Sequence, residues 1–153
     1  MTEAIQTYCA LLRQLNISHE VVEHPPVQQH YREALEWLNI TLADCLPTLI
    51  MKADDRLIAL VSRGDCRVDF KKIKKQRRLK NLRLATPEEF AQVTEVPIGT
   101  ARPYEPGVAE TLLEQKIFEK AFLMGGSGSF AHGIWYKTAD LRRIPNHVIV
   151  EAV

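Results

Sequence analysis

Two runs rich in aliphatic residues, TLIMKA at 48–53 and LIALVS at 57–62, stand on either side of the stretch ADDR at 53–56. Runs of this composition suit strands, and the two aspartates supply turn chemistry, because a short carboxylate bonds to nearby backbone N–H groups. The pair predicts a β-hairpin. Lys52 then reads as a charge at a strand end, kept solvated by the turn.

The flanking sequence alternates helical and extended patterns. Ile5, Leu12 and Leu15, with Tyr8 and Leu11, form an apolar stripe at helical spacing behind a cap at Thr2. SHEVVEH predicts a short strand stopped by Pro25 and Pro26, and Ala34, Leu35 and Leu38 a second helix with Trp37. The basic segment after residue 66 is expected to be helical and NLRLA a strand. In TPEEFAQVT, Thr86 takes the N-cap, Pro87 the first helical position and Glu89 the capping-box position. Residues 95–107, EVPIGTARPYEPG, hold three prolines and two glycines, too many breakers for regular structure, and predict an ordered functional loop. A helical piece near LLEQ, a strand KAFLMG, the loop GGSGS, a strand AHGIWYK, a helix from Thr138 and a strand HVIVEAV follow. This mixture predicts an α/β architecture with a mixed sheet.

At 153 residues, 46% hydrophobic and 25% charged, the chain has the size and composition of one compact domain. Cys9, Cys45 and Cys66 are far apart and in no CxxC pair, which points to a reducing cytosol and not to a disulfide framework. No stretch has signal-peptide or membrane-spanning character, so a cytoplasmic protein without a membrane partner is expected. The net charge of +1 hides a segment, 66–85, with nine Lys or Arg against the single acid Asp69. Such a stripe suits an anionic partner, and equally a solvated helix face anchored by Phe70, Ile73 and Leu79.

The five histidines, His19, His24, His30, His132 and His147, form no HExxH and no cluster with ligand spacing, so neither metal nor cofactor is expected. GGSGS matches neither GxxxxGK[ST] nor GxGxxG. Gly125, Gly126 and Gly128 read as turn residues, or else Ser127 and Ser129 present a hydroxyl or N–H to a pocket.

Taken in order, the segment ending in His24 before Glu33 and Ala34, TLIMKADDRLIALVSRGDCRVDFKKI, NLRLATPEEFAQVT, Gly99 with Pro103 four residues on, LMGGSGSFAHGI and TADL resemble the YbaK/ProX family of aminoacyl-tRNA deacylases, which is also the editing domain inserted in bacterial prolyl-tRNA synthetases. The resemblance implies a compact α/β domain over 1–153 with a mixed, strongly curved, barrel-like sheet flanked by helices. It implies hydrolysis of the ester of a mischarged tRNA, of the tRNA(Pro) class, with the acceptor end of an aminoacyl-tRNA and a synthetase as partners. It gives catalytic roles to the Gly99 backbone and Ser127, and a substrate pocket to His24, Pro47, Thr48, Gly125, Gly126, Ser129 and His132. Lys71, Lys72, Lys74, Lys75, Arg77 and Arg78 would dock the tRNA acceptor end.

One departure matters. The family typically opens the hairpin's first strand with a lysine before Thr and Leu, and here that place holds Pro47. Lys52 lies five residues on, on the opposite side of a strand and ~16 Å away, so it cannot replace that amine. Two readings follow: a trans-editing deacylase, or a non-catalytic module of the same fold that binds tRNA, a synthetase or a small amino-acid-like ligand.

Overall fold

A computed structural model describes residues 2–27 and 31–153; His30, one of the five histidines weighed above, lies outside them. Helix α1 spans Glu3–Gln14, and the Thr2 hydroxyl accepts from the Ile5 N–H at 3.3 Å, the expected cap. Ile5, Tyr8, Cys9 and Leu12 form its buried stripe. Strand β1, His19–Glu23, follows. The second helix is short: a 3-10 turn, Tyr31–Ala34, leads into α2, Leu35–Leu38, which stops at Asn39 in the left-handed conformation (φ 56°). A further 3-10 turn, Leu42–Asp44, ends at β2, Cys45–Leu46.

The hairpin forms as expected from β3, Thr48–Ala53, and β4, Arg56–Val61, with Asp54 in the left-handed region (φ 53°). Helix α3 covers Phe70–Arg77 and β5 Leu82–Leu84. Helix α4, Pro87–Val93, carries the full capping box: Glu89 N–H donates to the Thr86 hydroxyl at 3.2 Å and Thr86 N–H to the Glu89 carboxylate at 2.9 Å. Strands β6 (Thr111–Glu114), β7 (Phe122–Gly125), β8 (His132–Lys137) and β9 (His147–Val150) complete the chain, with 3-10 turns at Gln115–Glu119 and Thr138–Arg143.

Two expectations change. Most of LLEQ lies in strand β6, and helical backbone begins only at Gln115. β6 sits between parallel neighbours β4 and β9 and all four of its residues, Thr111, Leu112, Leu113 and Glu114, are buried, so the sequence shows no apolar–polar alternation of period two that would mark it as a strand. The anticipated barrel-like sheet is two open mixed sheets, one ordered β1-β8-β7-β2 and the other β5-β3-β4-β6-β9. One residue, Pro47, separates β2 of the first from β3 of the second. Proline has no N–H to continue a ladder, and its carbonyl accepts instead from Ser62 N–H at 3.2 Å. The chain changes sheets there.

Alternation along β3 and β4 decides what covers each face of the five-stranded sheet. Met51, Ala53, Ile58 and Leu60 pack with Leu112, Val150 and Ile73 of α3. Ile50 and Ala59 point the other way, onto Ala101 of the 95–107 loop and Phe90 and Val93 of α4. Val61 and Leu113 join Leu46, Leu123, Ile134 and Tyr136 of the four-stranded sheet, closed over by Tyr8 and Leu12 of α1.

Candidate functional site

The 95–107 loop and the glycine loop meet backbone to backbone. Gly128 N–H donates to the Thr100 carbonyl at 3.0 Å, and Thr100 is held by its own N–H and hydroxyl on the Pro97 carbonyl, at 3.1 and 2.6 Å. Gly99, exposed at the crest, has φ 94°. The turn reading holds for Gly128, at φ 82°, but not for Gly126. A Cβ on Gly126 would stand 2.0 Å from the Ala101 carbonyl oxygen, so this glycine exists for close approach. Gly125 pairs with Leu46 in the parallel β2–β7 ladder, which sets the Pro47 corner beside the same loop.

Ser127 and Ser129 bind the loop to β8. Ser127 is buried; its hydroxyl donates to the His132 carbonyl at 2.7 Å and accepts from Ser129 N–H at 3.1 Å. That hydroxyl is engaged inside the loop, between the His132 carbonyl and Ser129 N–H. Ser129 Oγ lies 2.8 Å from His132 Nδ1 and accepts from Ala131 N–H at 3.1 Å. On the other side of the ring, His132 Nε2 is 3.8 Å from the carboxylate of Glu23, its neighbour across the β1–β8 ladder. His24 Nδ1 sits 2.9 Å from the Pro25 carbonyl. A carbonyl only accepts, so in the neutral ring Nδ1 carries the proton and Nε2 is left as a base. Thr2, Glu23, His24, Ala131 and His132 line one open cleft of about 400 Å³.

At the corner, Thr48 is half-buried, and its Oγ1 has no hydrogen-bond partner among the described residues. Lys52, expected to be solvated, is ion-paired with Glu89 at 3.9 Å. Arg102 grips the wholly buried Glu105 carboxylate with Nε and Nη2, at 2.9 and 2.8 Å, while its guanidinium stacks 4.2 Å from the Tyr8 ring centre. Lys137 occupies the end of β8 remote from His132.

A buried polar chain ties the two loops to α1 and β8. Tyr136 Oη donates to the Gly126 carbonyl at 2.7 Å and lies 3.5 Å from Tyr8 Oη, which accepts from Tyr104 N–H at 3.2 Å. Burial pushes both phenols above their ordinary range, so they remain neutral donors and acceptors. The pairing of these tyrosines, of Glu23 with His132 and of Arg102 with Glu105 was not legible in the sequence, where Tyr8 and Tyr104 are 96 residues apart.

The basic helix lies elsewhere. Asp69 caps α3 by accepting from Lys71 and Lys72 N–H at 3.0 and 3.4 Å, and Ile73 is its buried anchor, whereas Phe70 is exposed. Arg77 is bound to both oxygens of Glu110 at 3.1 Å, and Lys72 donates to the Val153 carbonyl at 2.8 Å. These two are engaged internally; among the described residues the side chains of Lys71, Lys74, Lys75 and Arg78 make no hydrogen bond or ion pair. Moreover α3 covers the face of the five-stranded sheet opposite to Ala101 and the glycine loop. The structure does not bring the expected tRNA-docking residues to the cleft.

Among the described residues, no helix is long and apolar enough to cross a membrane, and no group of three or more His, Cys, Asp or Glu could hold a metal ion.

Two packed mixed sheets, with an open cleft lined by His24 and His132 and two loops docked backbone to backbone, define a small α/β domain. Residues 24–144 match the model of the aminoacyl-tRNA editing domain, and the chain belongs to that family. It is 29% identical over 113 residues to the proline–tRNA ligase of Geobacillus sp. (strain WCH70), covering 74% of this chain and 20% of the ligase. To that of Oleidesulfovibrio alaskensis it is 31% identical over 94 residues, covering 61% and 16%. The chain thus spans a fifth or less of these ligases. Among solved structures it is similar to a hypothetical protein (TM-score 0.84, 18% identity, 98% and 99% coverage) and to a protein described as a candidate trans-editing enzyme for prolyl-tRNA synthetase (0.82, 17%, 99% and 98%). At these identities the likeness concerns the fold.

Proposed function

We propose that this protein hydrolyses the ester of a mischarged tRNA of the tRNA(Pro) class, acting in trans beside a synthetase. The observation that carries this is the docking of the Gly99 loop on the glycine loop, through Gly128 N–H and the Thr100 carbonyl at 3.0 Å, within a chain of the editing family. The Gly99 backbone meets the aminoacyl end, and the loop 125–129 walls the pocket with Pro47 and Thr48 at its corner. Hydrolysis needs a group to take the proton of the attacking water as it bonds to the ester carbonyl, and donors for the oxyanion. We assign the first to Nε2 of His24 and the second to backbone N–H groups, with Ser127 and Ser129 holding loop and His132 in place. The need for a second, size-selective site arises because one methylene is worth only about 1–3 kcal/mol of discrimination.

Pro47, with Lys52 and Arg102 both paired to carboxylates, favours a second reading: a non-catalytic module that binds tRNA, a synthetase or an amino-acid-like ligand. A deacylation assay on tRNA(Pro) charged with alanine, cysteine or serine separates the two. Hydrolysis above the no-protein rate is expected; tRNA binding without hydrolysis would sink the first reading and leave the second.

A further inference from the structure

Lys71, Lys74 and Lys75 stand at i, i+3 and i+4 of α3, the spacing that aligns side chains on one helix face, and Arg78 follows as the C-cap in the left-handed conformation (φ 55°). None of the four side chains makes a hydrogen bond or ion pair among the described residues; Lys74 is half-buried and the others are exposed. The opposite face is occupied: Ile73 is buried, Lys72 and Gln76 reach the Val153 and Glu151 carbonyls, and Arg77 holds Glu110. The positive stripe continues beyond the helix. Lys80 is exposed in the turn into β5. On β5, Leu82 packs with the α3-side core, so by alternation Arg83 turns to the other face of the sheet. There Arg83 and its ladder partner Lys52 share one carboxylate, Glu89, at 2.7 and 3.9 Å, leaving a net positive charge. The cations therefore run from α3 round the β5 edge to the side that carries α4 and the 95–107 loop.

We infer that this track anchors the phosphodiester backbone of the tRNA away from its aminoacylated end, as a contact separate from the cleft. The inference rests on the RNA substrate proposed above. A lysine-rich face with Phe70 as the exposed apolar group of α3 is a poor core for a protein interface, where lysine is depleted. Solvated ammonium groups on flexible stems suit phosphates, from which they displace counterions whatever the base sequence.

The test follows binding of an uncharged tRNA(Pro) transcript by fluorescence anisotropy, from about 50 to about 200 mM salt, for the full chain and a Lys71→Gln, Lys74→Gln, Lys75→Gln, Arg78→Gln variant. The log–log slope of the variant should be shallower by about 3–4, so that over this range the wild type loses ~100-fold more affinity than the variant. Hydrolysis of a short aminoacylated CCA-ended oligonucleotide, which does not extend beyond the cleft, should be equal for both. If the fourfold variant melts early, Lys71→Gln with Lys75→Gln should give about half the slope change. Equal slopes overturn the inference, even where hydrolysis is observed. A variant that loses affinity for prolyl-tRNA synthetase but not for the transcript also overturns it, assigning the face to a protein. Differing slopes without hydrolysis by either protein uphold the anchor and remove the activity.

Discussion

Gly126→Ala is expected to pry the two site loops apart. Its new Cβ would stand 2.0 Å from the Ala101 oxygen and 2.9 Å from both the Ala101 carbon and the Thr100 oxygen. All three are backbone atoms, so no rotamer change relieves the clash. Overpacking of this kind costs about 1–3 kcal/mol, and an unyielding backbone contact belongs at the upper end. Separation of the loops would also break the Gly128-to-Thr100 hydrogen bond and strain the Tyr136 bond to the Gly126 carbonyl, each worth about 1 kcal/mol. Gly126 is outside the left-handed region, so alanine recovers about 0.4–1 kcal/mol through the unfolded chain. The net loss is about 4 kcal/mol, or a Tm lower by roughly 8–16 °C for a chain of this length. Urea titration and calorimetry measure it. Gly99→Ala is the comparison: at φ 94° it should cost only the ~1–2 kcal/mol of left-handed backbone. A Gly126→Ala loss below about 1 kcal/mol would refute the argument that this glycine exists for loop contact.

Two further outcomes follow from the ion pairs. Arg102→Met leaves the fully buried Glu105 carboxylate without its cation and should cost about 3–5 kcal/mol, whereas pairing it with Glu105→Leu should recover most of that; urea midpoints in a double-mutant cycle with no coupling would contradict this. The Arg83 guanidinium, helped by Thr86 N–H, holds the Glu89 carboxyl at about 2 against an ordinary 4.5. A depressed folded pKa contributes stability that is full above the unfolded value and is lost as pH falls through the folded one. The stability difference between wild type and Glu89→Gln should therefore shrink between pH 4.5 and about 2 in melting curves; a difference unchanged down to pH 2 would contradict it.

Local signals in the chain were enough for the hairpin at 48–61, the Thr2 and Thr86 caps and the irregular 95–107 loop, because each depends on residues within a few positions of one another. Order and spacing of short motifs also sufficed to name the family and to gather Gly99, Gly126 and Ser127 into one region. Tertiary structure decided the rest. Whether Pro47 would stand inside a ladder or at a change of sheet depended on β7 arriving as the partner of β2, some 80 residues later. Whether the basic helix would face the cleft depended on which side of β3 and β4 it packed, and Ile73 joined Met51 and Ile58 on the far side. The Tyr8–Tyr136 chain and the Glu23–His132 pair join residues more than 100 positions apart. Such contacts arise only when buried hydroxyls and charges find partners during closure of the core, and no periodicity along the chain encodes that pairing.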